Sequence, residues 1–236
     1  MAEFTITGEI DPFLHVSLAQ GESILAESNA MVMMEETLVL DGSLGNQGIF
    51  GSIMRRLANE ETVFQQKITA RHGPGDVLLA APFPGGMHLF DVGERQYCLA
   101  DGAFLASTDG VTVKTVMQNL GHAIFGGTGG FFIQHTEGRG KLAVASFGSV
   151  FLLAVKPGQP LTIDNEHIVA WEQQLEYEIT TPNSGRGMLG GLLSAATSGE
   201  MLVLRFSGQG RILLASRNKK TLLAWLGENL PTPKTS

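Results

Sequence analysis

Three stretches of the chain share one pattern of apolar and polar positions. VFQQKITARHGPGDVLLAA (63–81), FFIQHTEGRGKLAVAS (131–146) and MLVLRFSGQGRILLAS (201–216) each begin apolar or amide-bearing, pass through G-x-G, and run apolar again to Ala-Ala or Ala-Ser. The glycine pairs are Gly73/Gly75, Gly138/Gly140 and Gly208/Gly210, with 65 residues from Gly73 to Gly138 and 70 from Gly138 to Gly208. Runs of this length, partly alternating and partly continuous, read as strands of a sandwich core. Two glycines between such runs can supply the φ > 0 conformations of tight turns. Each stretch is therefore expected to be a β-hairpin, with these six glycines as its structural turns.

A second pattern precedes each of the three. LAQGESILAESNAMVMM (18–34), CLADGAFLASTDGVTV (98–113) and VKPGQPLTIDNEHIVAW (155–171) place a glycine turn before a short strand, then a polar turn and another apolar strand. Together the two patterns predict three copies of a strand-rich unit, each of a length usual for repeats that bury their faces against neighbours. The expected fold class is all-β with few short helices: a three-repeat β-sandwich or double-stranded β-helix-like barrel. Residues 1–230 are read as a single domain, with repeats at about 4–92, 93–155 and 156–226, and 231–236 as a frayed tail. A short C-terminal helix is expected from Lys220 to Leu226, with Leu222, Leu223 and Leu226 on one side.

Between the two patterns of each unit lies a Gly-rich apolar insert, at 42–61, 120–130 and 185–200. Ile49, Phe50, Ile53, Met54 and Leu57 recur at helical spacing in the first, with Arg55 and Arg56 on the other side. Ile124, Phe125 and Phe131 flank the GGTGG of the second, and Met188, Leu189, Leu192 and Leu193 belong to the third. These residues pack between repeats or form an interface, because contiguous exposed apolar surface marks contact with protein or membrane.

The segments GESILAESNAMVMM, GDVLLAAPFPGGMHLFDV, GGTGGFFIQHTEGRGKLAVASFG, PLTIDNEHIVAWE and GEMLVLRFSGQGRILLAS resemble, in order and spacing, a bacterial and archaeal family related to the mitochondrial "altered inheritance of mitochondria" biogenesis protein. The resemblance runs from about Phe4 to Ser216. It implies a β-strand fold like that of the tryptophan RNA-binding attenuation protein. It also implies a membrane-organising role in mitochondrial relatives and no established activity in bacterial ones. It carries over no catalytic residue, and likeness to an RNA-binding fold does not transfer RNA binding.

Composition narrows the function classes. Among 236 residues, 16 are basic and 23 acidic, and no basic run exceeds Arg55-Arg56 or Lys219-Lys220. A nucleic-acid partner is thus disfavoured, since backbone binding draws on clustered positive charge. One cysteine, Cys98, excludes an intrachain disulfide and fits a reducing compartment. Its apolar flanks predict a buried structural thiol. No signal-peptide pattern opens the chain, and no run of about 18 apolar residues spans a bilayer. A cytoplasmic location is expected.

No motif carries a clear chemistry. GGTGG lacks the Lys-Ser/Thr of a phosphate loop and leads into a strand pattern, where a helix N-terminus would be needed. His15, His72, His88, His122, His135 and His167 include no H-x-H and no H-E-x-x-H. His72 and His135 occupy comparable places in two repeats, but the third offers Phe206 or Ser207 there, so surface or strand-end histidines are expected and no metal site. SFGSV (146–150) departs from the G-x-S-x-G elbow, and Asp164, Glu166 and His167 read as a solvated turn. The expectation is a non-enzymatic binding or scaffold module without a cofactor. It self-associates, with a membrane surface or a protein as a further partner. The alternative is a small-molecule binder or cupin-like metalloprotein, with RNA binding weaker still.

Overall fold

The computed structural model describes residues 1–41, 65–117, 132–180 and 203–230. The inserts at 42–61, 120–130 and 185–200 lie outside them, and so do all twelve candidate interface residues: Ile49, Phe50, Ile53, Met54, Leu57, Ile124, Phe125, Phe131, Met188, Leu189, Leu192 and Leu193. The fold is all-β, with every strand ladder antiparallel among the described residues.

After β1 (Glu3–Thr7) comes a first set of six strands: β2 (Phe13–Leu18), β3 (Ser23–Glu27), β4 (Met31–Met34), β5 (Leu38–Asp41), β6 (Gln65–Ala70) and β7 (Gly75–Leu79). The second set is β8 (Met87–Val92), β9 (Tyr97–Ala100), β10 (Phe104–Thr108), β11 (Val111–Met117), β12 (Phe132–Gly138) and β13 (Gly140–Ala145). The third is β14 (Val150–Val155), β15 (Leu161–Asp164), β16 (Ile168–Glu172), β17 (Glu176–Thr180), β18 (Val203–Ser207) and β19 (Gly210–Ala215). Within each set the sixth strand pairs with the first and third, and the fifth with the second and fourth.

Two ladders join the sets. β3 pairs with β10, and β9 pairs with β16. The result is four sheets, in the orders β1-β2-β7-β4, β5-β6-β3-β10-β13-β8, β11-β12-β9-β16-β19-β14 and β15-β18-β17. Three apolar cores lie between successive sheets. Leu14, Ile68 and Leu79 meet Leu105 and Ala143 in the first core, and Tyr97, Leu99 and Leu142 meet Val169 and Leu213 in the second. Trp171, Leu204, Phe206 and Ile212 fill the third. The inner sheets are buried on both faces: Leu142 and Val144 of β13 enter the second core, while Ala143 and Ala145 enter the first. Strands so placed read as continuous apolar runs where a one-faced strand would alternate.

The G-x-G stretches are not hairpins. The strands on either side of each glycine pair do not pair with one another; they lie in neighbouring sheets, β6 in the second and β7 in the first, for example. A single residue, Arg139, separates β12 from β13, so the chain bends from one sheet into the next without folding back. Gly138 and Gly208 hold φ of 97° and 100° at these corners, a region side chains other than glycine's resist. The second glycine of each pair is needed for close approach. A Cβ on Gly75 would sit 3.0 Å from Leu38 Cδ2, and on Gly210 2.9 Å from Leu175 Cγ. On Gly140 it would run into the Thr108 hydroxyl. Gly73 meets neither demand.

Helix α1 (Lys219–Asn229) closes the described chain, slightly longer than expected, with Asn218 Oδ1 accepting from Thr221 N–H at 2.6 Å. Leu222 and Leu226 are half-buried, while Leu223 and Trp225 are exposed.

Candidate functional site

The residues singled out for chemistry are dispersed. His135, on β12, lies 4.0 Å from the Cys98 sulfur through Nε2 and 3.0 Å from Gln173 Nε2 through Nδ1. His72 lies in the corner after β6, in a different sheet neighbourhood, and among the described residues no three His, Cys, Asp or Glu side chains gather where a metal would sit. Cys98 is buried in the third core, and desolvation pushes its thiol up to about 12. Asn165–His167 form a 3-10 turn, in line with the turn expected around Asp164, Glu166 and His167. Asp164 Oδ1 accepts from Glu166 N–H at 3.1 Å, and His167 Nδ1 reaches Ala215 O at 2.8 Å. Ser146 Oγ donates to the Gly148 carbonyl at 3.0 Å, a structural tie within its turn.

The structure draws attention to the third strand of each set. β4, β10 and β16 carry the same bulge against the sixth strand, between Met31 and Met33, Phe104 and Ala106, and Ile168 and Ala170. The shared bulge makes Val32, Leu105 and Val169 counterparts, and likewise Met33, Ala106 and Ala170. Leu105 is 1% exposed and Val169 4%, yet Val32 is 54% exposed. Ala106 and Ala170 are 0% exposed and Met33 41%. The difference is a neighbour: β3 lies beside β10 and β9 beside β16, whereas no described strand pairs with the outer side of β4. β15, the second strand of the third set, is likewise paired on one side only among the described strands, with β18.

The faces at the two ends match this. Phe13 on β2, whose counterpart Met87 is buried, is exposed, and so are Val32 and Met33 two strands away on β4 of the same sheet. Phe151 on β14 is 64% exposed, while its counterpart Leu14 is 0%. Large apolar side chains rimming unpaired strands are what a contact surface requires.

A second feature is a cleft of about 340 Å³, where the ends of the three sixth strands converge. Phe83 and Phe147 line it with ring centroids 5.9 Å apart; Lys219 Nζ lies 4.7 Å from the Phe83 centroid, and Arg217 Cζ 5.8 Å from that of Phe147. Asp101 and Glu166 contribute carboxylates. Nearby Glu27 is raised by burial and by Asp101, against the pull of Lys219. The cleft draws on five separate segments, so no short motif announces it. The aromatic-then-glycine pattern at Phe83 to Gly86 and at Phe147-Gly148 is its one local trace.

The stacked, antiparallel, helix-poor architecture defines an all-β protein built by sheet sharing. The chain belongs to the mitochondrial biogenesis AIM24 family, which it matches over residues 4–217. It is 34% identical over 235 residues to a protein of Streptococcus pyogenes serotype M6 described as uncharacterized, covering 97% of this chain and 91% of the relative. It is also similar to a crystal structure of a Streptococcus pyogenes protein, with a TM-score of 0.79 and 32% identity over 98% of this chain and 100% of the other. Among the described residues no helix is long and apolar enough to cross a membrane.

Proposed function

We propose that this protein is a non-enzymatic binding and scaffold module that works by associating with copies of itself in a reducing, cytoplasmic setting. The observation that carries the reading is the contrast at one structural position. Val32 and Met33 are exposed where Leu105, Ala106, Val169 and Ala170 are covered by a neighbouring strand. Native mass spectrometry of freshly purified protein across a range of concentrations tests it. Species at multiples of the 25.2 kDa chain are expected, and a monomer at every concentration would overturn the proposal. A peripheral membrane role is a further part of this reading, motivated by the apolar inserts with Arg55-Arg56. Flotation with anionic liposomes checks that part, and protein left at the bottom at low and moderate salt would remove it.

The cleft beside Phe83 and Phe147 favours a second reading, a small-molecule binder. Its size and its mixture of aromatic walls with a few charged groups suit a small amphipathic ligand. The same native spectra address it: a discrete mass adduct lost in Phe147→Ala supports it, and bare protein in both argues against it.

A further inference from the structure

We propose that copies of this protein join head to tail, the free edge of β4 in one copy pairing antiparallel with the free edge of β15 in the next, so that the sheet stack continues across the boundary. This rests on the self-association reading above and names its joint. The chain already builds the same joint twice within itself. In both cases the second strand of one set pairs with the third strand of the next: β3 with β10, and β9 with β16. By that rule β4 and β15 are the two strands left over among the described residues. They belong to the first and fourth sheets and share neither a ladder nor a core.

The internal joints also set the register. Ala106 stands opposite Ala26 and Ala170 opposite Leu99, while Ser107 stands opposite Leu25 and Trp171 opposite Cys98. Cys98 pairs with His135, three residues before the corner glycine Gly138. Thr162 pairs with Arg205, three residues before Gly208, and is therefore the counterpart of Cys98. The continued joint thus places Met33 opposite Ile163 and Met34 opposite Thr162 of the second copy.

The faces fit the same continuation. In the first core Leu14 packs in one cluster with Met87, Leu105 and Ala106. Their counterparts are Phe151 at one end of the molecule and Phe13, Val32 and Met33 at the other, all exposed. Head-to-tail joining brings Phe151 of one copy against the other three of the next. Met33 is larger than the alanines it replaces, and its unbranched side chain adapts to an irregular contact. β4, reading MVMM, carries none of the lysines or prolines that blunt edge strands, whereas the outer edge β17 carries Glu176 and Glu178. Because the two edges differ, the contact is heterologous and yields a ring or a filament, not a two-fold dimer.

The test uses the full chain with Met34→Cys and Thr162→Cys together, oxidised under native conditions; native Cys98 is buried and contributes little background. A ladder of covalent species extending beyond the dimer is expected. Mixing the two single variants should give dimers only, and the register-shifted pair Met34→Cys with Ile163→Cys should lose most of the ladder. Val32→Lys, checked for an unchanged circular dichroism spectrum, should weaken association by about tenfold or more. If native spectra show oligomers but the ladder is absent, this joint is wrong while self-association stands. A disulfide closed within single chains would show that the two edges meet in one molecule, which also overturns it. A monomer throughout defeats both.

Discussion

β10 and β4 have the same place in their sets, the same bulge and the same sixth-strand partner type, yet one is among the most buried strands and the other is open. What differs is whether another set supplies a strand alongside. Burial in this protein is therefore a property of position in the stack: the strands of the two internal joints are covered on both sides, while β4 and β15 are paired on one side only among the described residues.

Truncating counterparts should separate a joint from an end by the largest margin. Trp171, buried in the third core with Tyr177 and Phe206 edge-on at 5.6 and 5.7 Å, is the joint counterpart of half-buried Met34 at the end. Trp171→Ala should cost about 3–5 kcal/mol in urea unfolding, and Met34→Ala about 1 kcal/mol under dilute conditions. Equal losses would mean that the end is packed as tightly as the joint. A smaller effect separates the two kinds of corner glycine. Gly210→Ala should cost about 1–3 kcal/mol because its Cβ meets Leu175, whereas Gly73→Ala, with no contact closer than 3.4 Å and an ordinary φ, should be neutral or stabilising by up to about 1 kcal/mol.

The smallest effect is on pH dependence. Burial, aided by Arg211, holds the His88 ring below its ordinary value of 6.5, and burial acts on His135 in the same direction. Each ring binds fewer protons folded than unfolded between its folded and unfolded values. Stability is therefore complete above 6.5 and declines as the pH falls through that window. His88→Leu should flatten part of the decline in acid titrations followed by circular dichroism. An unchanged slope would show that His88 is solvated in the folded protein.

The strands and their punctuation were legible in the chain because apolar runs and paired glycines are local signals. Their connection was not. A glycine pair between two apolar runs looks the same whether the chain folds back or passes into the next sheet. The choice is made by distant partners, as when β6 finds β3 and β7 finds β2. The exposed edge was hidden for a related reason. AMVMME reads like any buried strand, and only its place at the end of the stack uncovers it. The cleft at Phe83 and Phe147 has no local signature because it joins short pieces of five segments far apart in sequence. Trp171 was readable as an apolar strand residue, but its burial depends on β18 and β17, which follow it in the chain.

Amide hydrogen exchange at β4 and β15, followed as a function of protein concentration, reports on this pairing at the edges themselves. Edge amides paired across copies should be protected at high concentration, like those of β10 and β16. They should become fast on dilution, while the internal joints stay protected. Edge amides that exchange rapidly in fully assembled protein, or that remain equally protected at every dilution, would contradict the claim that these two strands complete each other between copies.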